Sequence, residues 1–393
     1  MVGGCGITRN ALPGSLVNEA QPTAVSDVRA WGDEPSALFQ RDFVESIRQA
    51  RKHTPVVGVD KDGWVNVLAL SGGGSRGAFG AGFLNGWSET GHRPEFKLVT
   101  GVSSGALIAP LAFLGPKYDA QLKEFYTTVT TSDVLEFRVW QILAGSDSIG
   151  DSSPLAKLIR EAISPEVFAE IAREHARGRR LYILTTNLDA RRGVVWNMGA
   201  IAARGTPEAL TLFRDVLRAS AAIPVAMGPV YLPVTANAKA YDEMHVDGAI
   251  TSEIFFYGSL LDISAGLRTA GVTQTPKVRI YIVRNSQIRT PYQQVRPRMQ
   301  AIASRAMVGL IDSHAMGDMY RIYTVAQRDG VDFNLAFIPG DFEPSNAVEF
   351  VPKKMTELFT LGCGLARDGY PWKKTPPGFQ CTPCEHVEDQ PAK

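Results

Sequence analysis

The sequence predicts an α/β protein with a mostly parallel central sheet covered by helices. Three observations carry this. From Trp64 to about residue 340, short apolar runs alternate with segments of helical period, the pattern of successive strand–helix units. Two strand-to-helix junctions are glycine-rich, and ten of the 37 glycines fall within residues 72–105. The composition, 45% hydrophobic and 21% charged, is that of a chain with a large core and excludes a disordered or collagen-like one.

Residues 1–35 are polar, carry Pro13, Pro22 and Pro35, and show no periodicity, so they read as a tail or tether. Residues 36–54 read as a helix, with Phe39, Phe43, Ile47 and Ala50 at helical spacing. Strand candidates follow at Val65–Leu70, Phe96–Thr100, Leu181–Thr185, Val194–Met198, Val278–Val283 and Val331–Phe337. No repeat and no change of composition divides residues 36–393, which read as one domain ending in a Pro-rich extension with Pro371, Pro376, Pro377 and Pro383. The apolar stretches Ala106–Leu114 and Ala219–Val234 are broken by prolines, and no run is long enough for a transmembrane helix.

The charges balance, 41 Lys+Arg against 40 Asp+Glu, a net of 41 − 40 = +1. A nucleic-acid partner usually needs a basic field, so none is expected. Four cysteines are too few for a disulfide scaffold. Cys363, Cys381, Cys384 and His386 lack the paired spacing of a zinc site, so no metal is expected. A disulfide from Cys363 to Cys381 or Cys384 fits an oxidising compartment.

The strand at Trp64–Ser71 runs into Gly72-Gly73-Gly74-Ser75-Arg76-Gly77 and then a helix near Ala78. This satisfies the dinucleotide fingerprint G-x-G-x-x-G. That motif also needs an acidic residue at the end of the second strand, and Phe96–Thr100 ends in Thr100-Gly101. Nucleotide is therefore not expected. Consecutive glycines let the backbone approach a ligand and aim its N–H groups at one point, ahead of a helix N-terminus. The loop is an anion hole, for a phosphate or for the oxyanion of acyl transfer.

The next strand decides between them. Phe96–Thr100 leads into Gly101-Val102-Ser103-Ser104-Gly105 and the apolar helix from Ala106. This is G-x-S-x-G between a strand and a helix, the setting of a nucleophile elbow. Ser103 becomes the candidate nucleophile, and the Ser104 N–H a candidate oxyanion donor. A serine hydroxyl needs a base. A triad of Ser103, Asp247 and His314 has the right order, but His314 sits in a helical pattern, Gly309–Met316, without loop character. Asp247 acting directly is the other candidate, at the tip of an Asp247-Gly248-Ala249 turn. The same three residues also read as an ordinary surface turn.

These motifs, in this order, resemble the patatin-like phospholipase family. The matching segments are Gly72–Gly77 with Arg76, Gly101–Gly105, Ala219-Ser220-Ala221-Ala222-Ile223-Pro224, and Asp247–Ala249. The resemblance covers residues 64–255 and extends more loosely to Trp196–Met198 and Gly369–Gly378. It implies a three-layer α/β/α fold, a Ser103–Asp247 dyad without a catalytic histidine, and an oxyanion hole from Gly73, Gly74 and Ser104. It further implies hydrolysis of lipid acyl esters without calcium or other cofactor. A small-ester carboxylesterase or acyltransferase is the alternative on the same fold, and a non-catalytic lipid-binding protein the alternative outside it. Arg76 is read first as a clamp of the loop and second as a phosphate contact. Ile223, Pro224 and Met227, in the proline-broken apolar stretch, are candidate acyl-groove residues. The run Val134–Leu143 with the loop Gly145–Gly150 is read first as a core helix and second as a lid or membrane contact. Val2-Gly3-Gly4-Cys5-Gly6 resembles a bacterial lipoprotein processing box. It suggests lipidation at Cys5 and a place in the cell envelope, although no signal peptide precedes it in this chain.

Overall fold

A computed structural model describes residues 9–137, 150–258, 260–289, 292, 294–342 and 347–379. Cys5, most of the Val134–Leu143 run with the Gly145–Gly150 loop, Cys381, Cys384 and His386 lie outside them or nearly so. The strands in chain order are β1 (Gln21–Pro22), β2 (Arg29–Trp31), β3 (Trp64–Leu70), β4 (Leu98–Val102), β5 (Glu136–Phe137), β6 (Gly150–Asp151), β7 (Arg180–Asn187), β8 (Arg192–Asn197), β9 (Val230–Ala236), β10 (Lys239–Asp247), β11 (Lys277–Gln287) and β12 (Val331–Ile338).

Ten of these form one mixed sheet, in the order β1-β9-β10-β7-β4-β3-β11-β12, with β8 on the other side of β7 and β2 beyond it. The central strands β7, β4, β3, β11 and β12 are mutually parallel, and the flanking ones antiparallel. Alternation along β3 shows why the sheet is covered twice. Leu68 and Leu70 enter one apolar cluster, with the helices Gly77–Glu89, Ser104–Leu114 and Pro352–Arg367. Val67 and Ala69 enter a second, with the helices Ala37–Ala50 and Met299–Asp329. Successive side chains of a strand point to opposite faces, so a strand buried on both sides is apolar throughout. The result is the α/β/α arrangement.

The structure departs from the sequence reading in two places. The stretch read as a tether is tied down from residue 9 onward. Arg9 pairs with Asp189 at 2.9 Å, β1 joins β9, and β2 joins β8. These short strands cover sheet edges that would otherwise expose unpaired backbone groups. The second departure is a hairpin. Val230–Ala236 alternates buried and open positions and pairs with β10 through Asn237-Ala238, where φ is 48° and 59°. Two successive positive φ values are the turn that suits the twist of a hairpin. The apolar stretch Ala219–Val234 thus ends as a strand from Val230 onward, and only the part before it is free to line a groove.

Candidate active site

Register brings the two key side chains together. Val102, the last residue of β4, pairs with Leu184 of β7, and Asp247, the last of β10, pairs with Thr185. β4 runs parallel to β7 and β10 antiparallel, so the two strands meet end to end along one edge of β7. The next residue after β4 is Ser103. Its Oγ donates a hydrogen bond of 2.6 Å to Asp247 Oδ2. Asp247 is therefore a strand end that caps the short helix Gly248–Ile250, and its Oδ1 accepts from the Ala249 N–H at 2.8 Å. Of the two readings of Asp247–Ala249, the surface turn is the one overturned, and the turn tip is in fact a strand end: Asp247 is 1% exposed and Ser103 5%.

Ser103 has φ 53° and ψ −125°, a conformation that costs a non-glycine residue of order 1–3 kcal/mol. The surroundings hold it there. Its N–H donates to Ser220 Oγ at 3.0 Å, and Ser220 Oγ donates to Leu184 O at 2.7 Å. A Cβ at Gly105 would lie 2.4 Å from Leu70 O, so the helix can start this close to β3 only with glycine. The first-turn N–H groups of that helix, Ser104's among them, have no partner within it. Ser104 Oγ is buried without a partner among the described residues.

The glycine loop faces the elbow. A Cβ on Gly72 would lie 3.0 Å from Ser103 Cβ. Gly74 has φ 58°, and a Cβ there would be 2.0 Å from Ala347 O. Among the described residues, no group accepts from the Gly73 or Gly74 N–H, whereas Gly72 and Ser75 donate to Glu253 O and Ala347 O. Arg76 is turned inward: Nε donates to Gly73 O at 3.3 Å and a terminal nitrogen to Ser286 Oγ at 3.1 Å. These contacts fasten the loop to β11.

Burial raises the Asp247 carboxyl to about 7, although the hydrogen bonds from Ser103 and Ala249 act the other way. Glu253, which sequence reasoning missed, is buried close by. Its Oε2 lies 3.2 Å from where a Gly72 Cβ would be, and burial raises its carboxyl to about 8. Only its place six residues after Asp247 could have drawn notice. Ser220 lay inside a flagged segment, but nothing local pointed to its bond with Ser103.

Ile223 and Met227 line a cavity of about 20 Å³ together with Ser103 and Gly74, and Pro224 does not. Leu107, Phe125 and Tyr126 line both this cavity and a larger one of about 410 Å³. His314 lies exposed on the helix Met299–Asp329. His245, two residues before Asp247, is bonded to Thr185 Oγ1 at 2.9 Å and Glu243 Oε2 at 3.1 Å. Cys363 Sγ lies 3.8 Å from Glu89 Oε1.

No curated protein sequence matches this chain. Among solved structures, VipD from Legionella pneumophila is similar at 13% identity and a TM-score of 0.37, over 77% of this chain and 66% of that one. The chain thus spans just under two thirds of the length of VipD. A model of the patatin-like phospholipase family matches residues 68–257, from within β3 to just beyond Glu253. Over those residues the chain carries a domain of the patatin-like phospholipase family.

Proposed function

We propose that the protein is a serine-dependent lipid acyl hydrolase in which Ser103 and Asp247 act as a dyad. Lipid hydrolysis in general follows from the family. The observation that carries the rest is the 2.6 Å hydrogen bond from Ser103 to a carboxylate held out of water. As Oγ bonds to the ester carbonyl carbon, its proton passes to Asp247. The N–H groups of Gly73, Gly74 and Ser104 receive the oxyanion, each donor being worth roughly 10²–10³ in rate. The C–O bond breaks, and the leaving alcohol takes the proton from Asp247. Water then attacks the acyl-enzyme, gives its proton to Asp247, and frees the carboxylic acid as Ser103 Oγ is reprotonated. Burial makes the carboxylate a stronger base than an ordinary aspartate, which suits it to this exchange near neutral pH.

Ile223 and Met227 form the wall beside the acyl group in this reading. Arg76 holds the glycine loop and does not bind the head group. Lipidation of Cys5 and an envelope location, periplasmic or membrane-anchored, belong to the same proposal; mass analysis of the membrane fraction tests the lipidation, and an unmodified Cys5 removes the anchor.

A fluorophosphonate probe is expected to label Ser103. Ser103→Ala should abolish labelling and lower ester hydrolysis by about 10⁶, as for other serine nucleophiles. Met227→Trp should keep labelling but lose long-chain esters before short ones. An unlabelled wild-type chain that still binds lipid would mean a non-catalytic binder. Transfer of the acyl group to an added alcohol in preference to water would mean an acyltransferase.

A further inference from the structure

The helix Met299–Asp329 is built in two halves. In the second half, Ala315, Met319, Ile322 and Ala326 are buried at spacings of four, three and four, facing the sheet. Gly330, with φ 66°, ends the helix and leads directly into β12 at Val331. The helix therefore runs back along the parallel strands, and its N-terminus points past their C-terminal ends, where Ser103 sits. β11 runs on to Gln287, and the helix is level with it three residues earlier, where Arg284 and Asp312 lie 3.7 Å apart. Residues 299–311 lie beyond that level, about 20 Å of helix at 1.5 Å per residue. None of the described side chains there is buried.

The exposed face of this overhang is apolar. Met299, Ile302 and Leu310 are 85%, 55% and 64% exposed, and with exposed Ala306 they form one stripe at spacings of three, four and four. The same stripe continues along the packed half as Ser313, Gly317, Arg321 and Thr324, all exposed and mostly polar. Among the described residues, the solvent face is thus apolar only along the N-terminal part of the helix, before Asp312. Tyr292, 94% exposed, and Val295 extend the apolar surface just before the helix.

Charge is concentrated in the same place. Residues 288–311 hold Arg289, Arg296, Arg298 and Arg305 and no acidic residue, in a chain whose net charge is +1. The segment starts two residues after Ser286, which Arg76 of the glycine loop holds. We propose that Arg289, Tyr292 and residues 294–311 seat the protein on an anionic lipid surface, with the apolar stripe at the headgroup boundary and Arg289, Arg296 and Arg298 on lipid phosphates. An apolar stripe flanked by basic residues is the composition of an element lying in the plane of such a surface. A second copy packed on the same patch would set arginines against arginines, which disfavours self-association. Binding of this kind needs no chemistry at Ser103, so it stands apart from the hydrolase reading.

The full chain, mixed with vesicles of phosphatidylcholine alone or with phosphatidylglycerol, is expected to sediment only with the second and to be released by salt. At roughly 1 kcal/mol per arginine, the combined variant Arg289→Gln, Arg296→Gln, Arg298→Gln should bind about 100-fold more weakly. The combined variant Met299→Ser, Ile302→Ser, Leu310→Ser should also lose most binding. Circular dichroism and thermal melting verify that each variant folds, independently of any enzyme activity. Equal sedimentation with both vesicle types, or unchanged binding by both variants, overturns the proposal. So does a dimer that dissolves in the serine variant while vesicles are ignored.

Discussion

The strand β7 has a buried charge at each end, and the two are treated in opposite ways. At its start, Arg180 is surrounded by acceptors: Asp42 Oδ2 at 2.7 Å, His175 O at 3.0 Å, Arg179 O at 2.9 Å and Gln49 Oε1 at 3.2 Å. Asp42 in turn accepts from Asn197 and Tyr182. At the other end, Asp247 has one hydroxyl and one N–H, and no cation is among the causes of its raised carboxyl. The first arrangement satisfies a charge and fixes a structure. The second leaves a carboxylate under-compensated, next to a serine in a strained conformation. Proteins keep such unmet groups where they serve a reaction and balance them elsewhere.

The largest effect should come from breaking the reactive end. Asp247→Asn keeps the shape but removes the base, and should lower ester hydrolysis by about 10²–10⁴. In the wild type, activity should rise with pH up to about 7, as Asp247 ionises. Stability should move the other way. The folded carboxyl is raised above its unfolded value near 4, so ionisation opposes folding. Stability is full below that value, falls as pH rises toward 7, and is level above it. Asp247→Asn escapes this penalty. Its melting temperature should exceed that of the wild type at pH 8 and match it at pH 4; a lower value at pH 8 would mean that the carboxylate is not a burden to the fold.

The satisfied end should break differently. Arg180→Met leaves the partly buried Asp42 without its cation and should cost about 3 kcal/mol in denaturant unfolding, the low end for a stranded partner because Asp42 keeps some contact with water. Turnover per folded molecule should be unchanged, because Arg180 sits at the far end of the strand. A loss of turnover at full folding would show that the two ends are coupled.

The smallest effect tests the link between β7 and the elbow. Ser220→Ala leaves the Ser103 N–H without its acceptor, at a cost of about 1–3 kcal/mol. Because that bond holds the strained serine, kcat should fall while KM stays, and probe labelling of Ser103 should slow in parallel. Lost stability with unchanged labelling would make Ser220 a packing residue only.

What was legible in the sequence is local. The strand, the glycine turn and the helix are neighbours in the chain, and Gly72–Gly77 and Gly101–Gly105 announce their turns because only glycine fits where backbones approach within contact. The alternation of elements foretold the layered fold for the same reason. The hairpin of β9 and β10 was not legible, since Asn237-Ala238 is a weak turn signal beside Asn-Gly. From its own residues Asp247 was a candidate base but read more readily as a surface turn, and the family resemblance tipped the choice. Its partner is 144 positions away, and their meeting depends on β4 and β10 sharing an edge of β7. Burial of Glu253, the inward turn of Arg76 and the overhang beyond Asp312 are likewise products of packing. Chain-neighbour chemistry is written in the residues themselves. Which distant groups lose water together, and which helix outruns its sheet, is set only when the layers close.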